Sequence, residues 1–203
     1  MPSALSRTSV FYVAPTFTFP QFSGRKTLSP LLRNWRFSAI VQYAPGLPIR
    51  TPVSNSKLYL MIFQSTFANR IPGTGLFTAN LDKEGINPLE QFALKPDAWK
   101  DPDAGKFSTS PGYYDDYRFE RRPLEQMSFG RIFRVSDKVQ LMLRIDFQNV
   151  FNRLEMADPV YENAGATQVK DRDGVPQSGF GYVNYKTVGG NPRTGQVVVR
   201  LQF

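Results

Sequence analysis

The chain of 203 residues contains neither cysteine nor histidine. Without thiols there is no disulfide, no thiolate nucleophile and no cysteine-based zinc site. Without imidazole, histidine-centred acid–base chemistry is excluded too. Long apolar runs are also lacking: no stretch approaches the roughly 20 residues that a membrane helix needs. The N-terminal Met-Pro-Ser-Ala-Leu-Ser-Arg has no continuous apolar segment, and Phe11 to Phe19 is broken by Pro15 and Thr16, so no signal peptide is expected. Catalytic signatures are missing as well. No Gly-x-Ser-x-Gly, phosphate-binding loop or dinucleotide fingerprint occurs, and no spacing singles out a carboxylate pair for glycoside hydrolysis. The chain reads as neither an enzyme nor a cofactor protein.

What is abundant points to strands. Phe (17) and Tyr (9) dominate the aromatics, while Pro (16) and Gly (15) punctuate the chain with turns. A net charge of +8 raises nucleic acid as a partner. The 25 basic residues are spread along the chain, however, and no RNP-like, helix-turn-helix or zinc-finger pattern appears. Nucleic acid is therefore set aside in favour of polar turns and loops, some near lipopolysaccharide phosphates.

Alternation locates the strands. Between Val139 and Phe147, Val139, Leu141, Leu143, Ile145 and Phe147 alternate with Gln140, Met142, Arg144 and Asp146. A period of two predicts one apolar and one polar face, over a length near the roughly 9–11 residues of a tilted spanning strand. Residues 127–135 read likewise, with Met127, Phe129, Phe133 and Val135 on one face; Arg131 falls on that face too, at an interface or a bulge. Only Ser136-Asp137 separates Val135 from Lys138, which predicts a tight hairpin. Further strands are expected over 9–19, 35–43 and 196–203, the last carrying Val197, Val199, Leu201 and Phe203 on one face. Lys57–Phe63 could be a short strand. The long segments 46–125 and 152–178 show little periodicity and read as loops.

Short joints alternating with long ones suit a membrane barrel, with short periplasmic turns and long extracellular loops. If Phe203 ends at the periplasm, tracing strand directions backwards puts both long segments outside the cell and both short connections inside. Strands in lipid must close into barrels of about eight strands or more, about 22 in large transporters, so these strands belong to a larger wall. The expected fold is an all-β, antiparallel transmembrane barrel segment in the bacterial outer membrane. A soluble, basic β-rich binding module is the alternative, and a glycoside-active β-protein a more distant one.

Several segments resemble, in order, the Oar-like TonB-dependent receptors of bacterial outer membranes. They are Asn34-Trp-Arg-Phe-Ser-Ala-Ile-Val-Gln-Tyr43 with Pro45-Gly-Leu-Pro48, Leu94-Lys-Pro-Asp-Ala-Trp99, Tyr117-Arg-Phe-Glu-Arg-Arg122 and Met127-Ser-Phe-Gly-Arg-Ile-Phe133. Arg144-Ile-Asp-Phe-Gln-Asn-Val-Phe-Asn-Arg153, Gly179-Phe-Gly-Tyr182 and the closing strand from Gln196 to Phe203 follow. The Asn-Val-Phe-Asn run and that strand are the most specific. The resemblance covers nearly the whole chain and corresponds to the C-terminal part of the family. It implies a large barrel filled by an N-terminal plug, importing scarce ligands with energy relayed by TonB. Plug and TonB contacts would lie in the remainder of such a protein, so this segment would not transport by itself. Val199, Leu201 and Phe203 are similar to the signal read by the barrel-assembly machinery.

On the barrel reading, Gln140, Arg144, Asp146 and Gln148 face the lumen together with Arg200. They would either pair with one another, the simpler option, or touch substrate or plug. Tyr113, Tyr114 and Tyr117, beside Arg118, Arg121 and Arg122, form the densest aromatic–basic cluster. It could bind a glycan or an anionic ligand, or pack loops together, with packing favoured. Asp171-Arg-Asp173-Gly174 echoes a calcium loop, but its twelfth position would be Tyr182 where that loop needs Glu. No metal is expected.

Overall fold

Alternation along the chain is realised as an antiparallel sheet. A computed structural model describes residues 2–20, 34–55, 66–82 and 85–203. In chain order the strands are β1 (Phe11–Val13), β2 (Thr16–Thr18), β3 (Trp35–Tyr43), β4 (Pro48–Arg50), β5 (Asn69–Arg70) and β6 (Trp99–Lys100). They continue with β7 (Tyr113–Arg118), β8 (Leu124–Arg134), β9 (Gln140–Gln148), β10 (Val169–Lys170), β11 (Pro176–Ser178) and β12 (Thr194–Gln202). No described helix is long and apolar enough to cross a membrane, which bears on helices alone. Two compact units result.

The sheet unit comprises Val10–Ala44, Pro123–Leu154 and Asn191–Phe203. Its strands lie in the order β1-β3-β8-β9-β12, with β2 also on β3, and every pairing is antiparallel. β1 and β2 share one lane: Val13 faces Val41 and Thr16 faces Ser38, so the register passes through unbroken. Pro15 interrupts the ladder because it has no N–H, yet its carbonyl still accepts from the Ala39 N–H at 3.0 Å. The strand expected over 9–19 is thus two short pieces.

β8 starts at Leu124, earlier than the alternation from Met127 suggested. Its turn into β9 closes where the Val135 N–H donates to the Val139 carbonyl at 2.9 Å. Arg131 stands in regular register between Trp35 and Leu143, so no bulge accounts for it. Instead its guanidinium lies over the Phe133 ring at 4.5 Å and the Trp35 ring at 5.5 Å. Lys57–Phe63 and most of the Pro20–Asn34 connection lie outside the described residues.

Register stacks like with like. Phe37, Phe129, Ile145 and Val197 stand side by side on four neighbouring strands, with Phe17 beyond Phe37. Trp35, Arg131, Leu143 and Val199 form the next row toward the turn, and Phe133, Leu141 and Leu201 the row after. Trp35 stacks nearly flat on Phe129, at 4.5 Å between centroids. On this face Phe11, Phe17, Val197, Val199 and Leu201 are each more than half exposed. From the Phe133 row to the Tyr43 row the strands advance about ten residues. At about 3.3 Å per residue and a tilt of about 40°, that is a height of about 25 Å, the apolar band of an outer-membrane barrel.

Both long excursions leave and rejoin the sheet at one end. The chain departs after Tyr43 and Gln148 and returns at Leu124 and Thr194, opposite the end that carries the β8–β9 turn.

The second unit, Met1–Ser9, Pro45–Arg122 and Glu155–Gly190, holds the segments expected to be loops. They are folded around a core of their own. β4 pairs with β7, β5 with β6 and β10 with β11, and Ile49, Leu94, Tyr117 and Phe180 are fully buried. The Gly179-Phe-Gly-Tyr182 run joins the two stretches of chain. The Ala93 N–H donates to the Gly181 carbonyl and the Gly181 N–H to the Val160 carbonyl, each at 2.7 Å. Gly181 has φ of +79°, and a Cβ there would sit 2.5 Å from the Leu94 nitrogen, so only glycine fits while Phe180 enters the core.

Candidate functional site

The polar face of the sheet centres on Asp146. Gln140, Arg144, Asp146 and Gln148 share it by alternation along β9, and Arg200 joins them from β12, opposite Met142. Asp146 accepts from Ser128 Oγ at 2.6 Å and from Gln196 Nε2 at 3.0 Å, and pairs with Arg144 at 3.0 Å. One carboxylate therefore ties β8, β9 and β12 together across the face. Sequence reasoning paired Arg144 with Asp146 but missed Ser128 and Gln196. Their signal was alternation, Ser128 one residue from apolar Met127 and Gln196 one from apolar Val197, usable only once the register is known. Gln140, Gln148 and Arg200 lie on the same face outside this network.

A second polar cluster sits at the excursion end, on the apolar face. Glu125 is almost wholly buried there, accepting a hydrogen bond from the Tyr43 hydroxyl and an ion pair from Arg153. The Asn149-Val-Phe-Asn152 turn places that arginine. Asn149 and Asn152 have φ of 48° and 52°, a conformation asparagine tolerates well. Asn149 Oδ1 accepts from the Arg153 N–H at 2.8 Å, and the Val150 N–H donates to the Glu125 carbonyl at 3.2 Å. None of these residues was singled out as a partner beforehand.

The aromatic–basic cluster of the second unit is dispersed. Tyr117 is fully buried beside Trp99 and Phe77, where it packs the core, the favoured of the two options for the cluster, and presents no surface. Tyr114 lies under the Arg70 guanidinium at 4.9 Å and donates to Ser110 Oγ. Arg118 is spent on the Ser6 and Gly46 carbonyls and on Asp115. Arg121 reaches Asp82, and Arg122 reaches Asp158 and the Met156 carbonyl. Tyr113 pairs with Arg50 across β4 and β7.

Beside this cluster is an open cavity of about 570 Å³, lined in part by Phe77, Asp82, Asp115, Asp116, Arg118 and Phe119. Of the six residues proposed for a ligand, only Arg118 lines it. Its carboxylates are each matched: Asp116 by Arg70 at 2.6 Å, Asp115 by Arg118 and Asp82 by Arg121. The hydrogen bonds from Arg70 hold Asp116 below the ordinary carboxylate range. With its charges paired, the cavity offers polar and aromatic contacts but little net field. Among the described residues no group of His, Cys, Asp or Glu is arranged to hold a metal.

Neither a curated protein nor a solved structure matches this chain. Residues 1–196 match the family model described as outer membrane beta barrel domain. That span takes in both long excursions and the sheet up to the start of β12, and the sheet's exposed apolar rows are what a wall facing lipid requires. The chain belongs to the outer membrane β-barrel domain family, and its place is the bacterial outer membrane.

Proposed function

We propose that this chain is a portion of the barrel wall of a TonB-dependent, Oar-like receptor that takes up a ligand across the outer membrane. The observation that carries the reading is the pair of unlike faces. Apolar rows about 25 Å tall stand against a polar face knitted around Asp146. The apolar face meets lipid and the polar face meets the lumen. The order of the receptor-like segments supports the finer assignment. So does the way both excursions leave the sheet at one end, which becomes the extracellular end, near lipopolysaccharide.

In this reading the second unit is the ligand-facing part: Arg118 lines its cavity, and Tyr113, Tyr114, Arg121 and Arg122 lie elsewhere in the unit. The plug, and through it TonB, act from the remainder of the receptor. Val199, Leu201 and Phe203 are exposed, the first two on β12 and the third just past its end. That edge can add to the barrel-assembly machinery by strand pairing.

The test is expression of the full chain with an added signal peptide, followed by fractionation and gel migration with and without heating. Recovery in the outer membrane as a heat-modifiable band, lost on deletion of Phe203, is expected. A detergent-independent soluble monomer with a cooperative melt would overturn the reading in favour of a basic β-rich binding module.

A further inference from the structure

Charge is unevenly placed on the polar face. Arg36 of β3, Arg134 of β8, Arg144 of β9 and Arg200 of β12 all lie on it, one on each of four neighbouring strands. Arg36 and Arg144 are both register partners of Gly130. Arg200 stands one row nearer the β8–β9 turn, opposite Met142, and Arg134 one row nearer still, opposite Gln140. All four thus occupy the turn-side half. The other half carries Ser38, Gln42, Gln126, Ser128, Gln148 and Gln196, with Asp146 as its charged group.

This half is cationic in excess. Asp146 engages Arg144, and among the described residues no ion pair involves Arg36, Arg134 or Arg200. Like charges gathered on one wall repel one another and favour an anionic occupant. These four strands contain arginine and no lysine. The guanidinium fork matches the planar oxygens of a carboxylate or phosphate in a way an ammonium does not. Gly130 supplies the space. A Cβ there would stand 3.1 Å from Arg144 Cγ and 3.1 Å from the Leu143 carbonyl. Without it, a notch lies between Arg36 and Arg144, whose strands are about 10 Å apart. Long side chains reach across such a gap from both sides.

We propose that the turn-side half of the polar face is an oxyanion-binding wall. Arg36 and Arg144 hold a phosphate or carboxylate group of a small anionic solute across Gly130, and Arg200 and Arg134 extend the track toward the turn. The proposal rests on the reading that this face lines the barrel lumen, and its test separates the two.

The full chain in detergent micelles is titrated calorimetrically with inorganic pyrophosphate and, separately, with citrate at low salt. Saturable binding is expected, weakened at least tenfold in the Arg36→Gln/Arg144→Gln double variant and unchanged in Arg172→Gln, a loop control. Preference for one probe assigns phosphate or carboxylate as the favoured group. A second measurement uses the absence of native cysteine. With Ser38→Cys in outer membranes, an anionic methanethiosulfonate reagent should react at least tenfold faster than a cationic one. That preference should vanish in the double variant. Equal rates for the two reagents, or binding that Arg172→Gln weakens as much as the double variant does, overturn the oxyanion wall. A chain that is soluble without detergent overturns the barrel reading instead.

Discussion

Arg153 grips Glu125 through two parallel hydrogen bonds, Nε to Oε2 and Nη2 to Oε1, each at 2.9 Å. The carboxylate is almost wholly buried while the guanidinium is half exposed. Removing Arg153 strands a charge that cannot be rehydrated. Arg153→Gln should cost about 1.5–3 kcal/mol, the range for hydrogen bonds to charged groups. The Glu125→Gln/Arg153→Gln pair should recover part of that loss. A double-mutant cycle from urea unfolding in detergent measures it, and strictly additive effects would show the pair is idle.

Two adjacent valines test the assignment of faces. Val197 stands in the middle apolar row beside Ile145, whereas Val198 is opposite Arg144 on the polar face. Val197→Arg should destabilise the bilayer-inserted form by about 2–4 kcal/mol, as for a cation near the midplane. Val198→Arg should change stability by less than about 1 kcal/mol. Unfolding from lipid vesicles reads both, and equal penalties would mean that the two faces share one environment.

Tyr117 carries a hydroxyl with no hydrogen-bond partner among the described residues, and burial pushes its phenol well above the ordinary range. Tyr117→Phe deletes an unsatisfied polar atom and keeps the ring against Trp99, so stability should hold or rise by about 1 kcal/mol. Tyr117→Ala should cost about 3–5 kcal/mol through the cavity it leaves. Thermal melts of the two variants distinguish a core tyrosine from a surface one, for which both changes would be small.

Glu120 is pushed up by burial, then by the nearby Asp82 carboxylate, with Glu155 and Asp158 adding to it against the pull of Arg122. The folded state therefore holds this proton more tightly than the unfolded chain. That contribution is full below the unfolded value near 4.5 and fades as pH rises through the folded one. Glu120→Gln keeps the neutral shape. It should melt with the parent at pH 4 and above it at pH 7.5. A gain of equal size at both values would point away from titration.

Legibility in the sequence followed periodicity. Val139 to Phe147 announced its faces because every second residue is apolar, and the parity of the excursions came with it. Glu125 hid the start of β8, since a carboxylate on an apolar face looks like the end of a strand until Arg153 and Tyr43 are known. Pro15 splits the strand expected over 9–19 for a different reason: it removes a donor without changing which side chains share a face. The second unit was opaque because its strands are mostly two or three residues long and its core joins Ile49, Tyr117 and Phe180 from distant segments. No local pattern encodes such a core. The arginines of the candidate wall were visible one at a time, and only the register, with Gly130 shared by Arg36 and Arg144, shows them as a group.

The lanes of the sheet alternate in direction from β1 and β2 through β3, β8 and β9 to β12, so its two outer lanes point the same way. A hoop assembled only from copies of this sheet would set each outer strand beside one running in its own direction, a parallel seam in an otherwise antiparallel stave-work. Closing a wall antiparallel around the described lanes would take an odd number of further staves, so on the barrel-wall reading this sheet is a complement by geometry and not a unit that closes by multiplication.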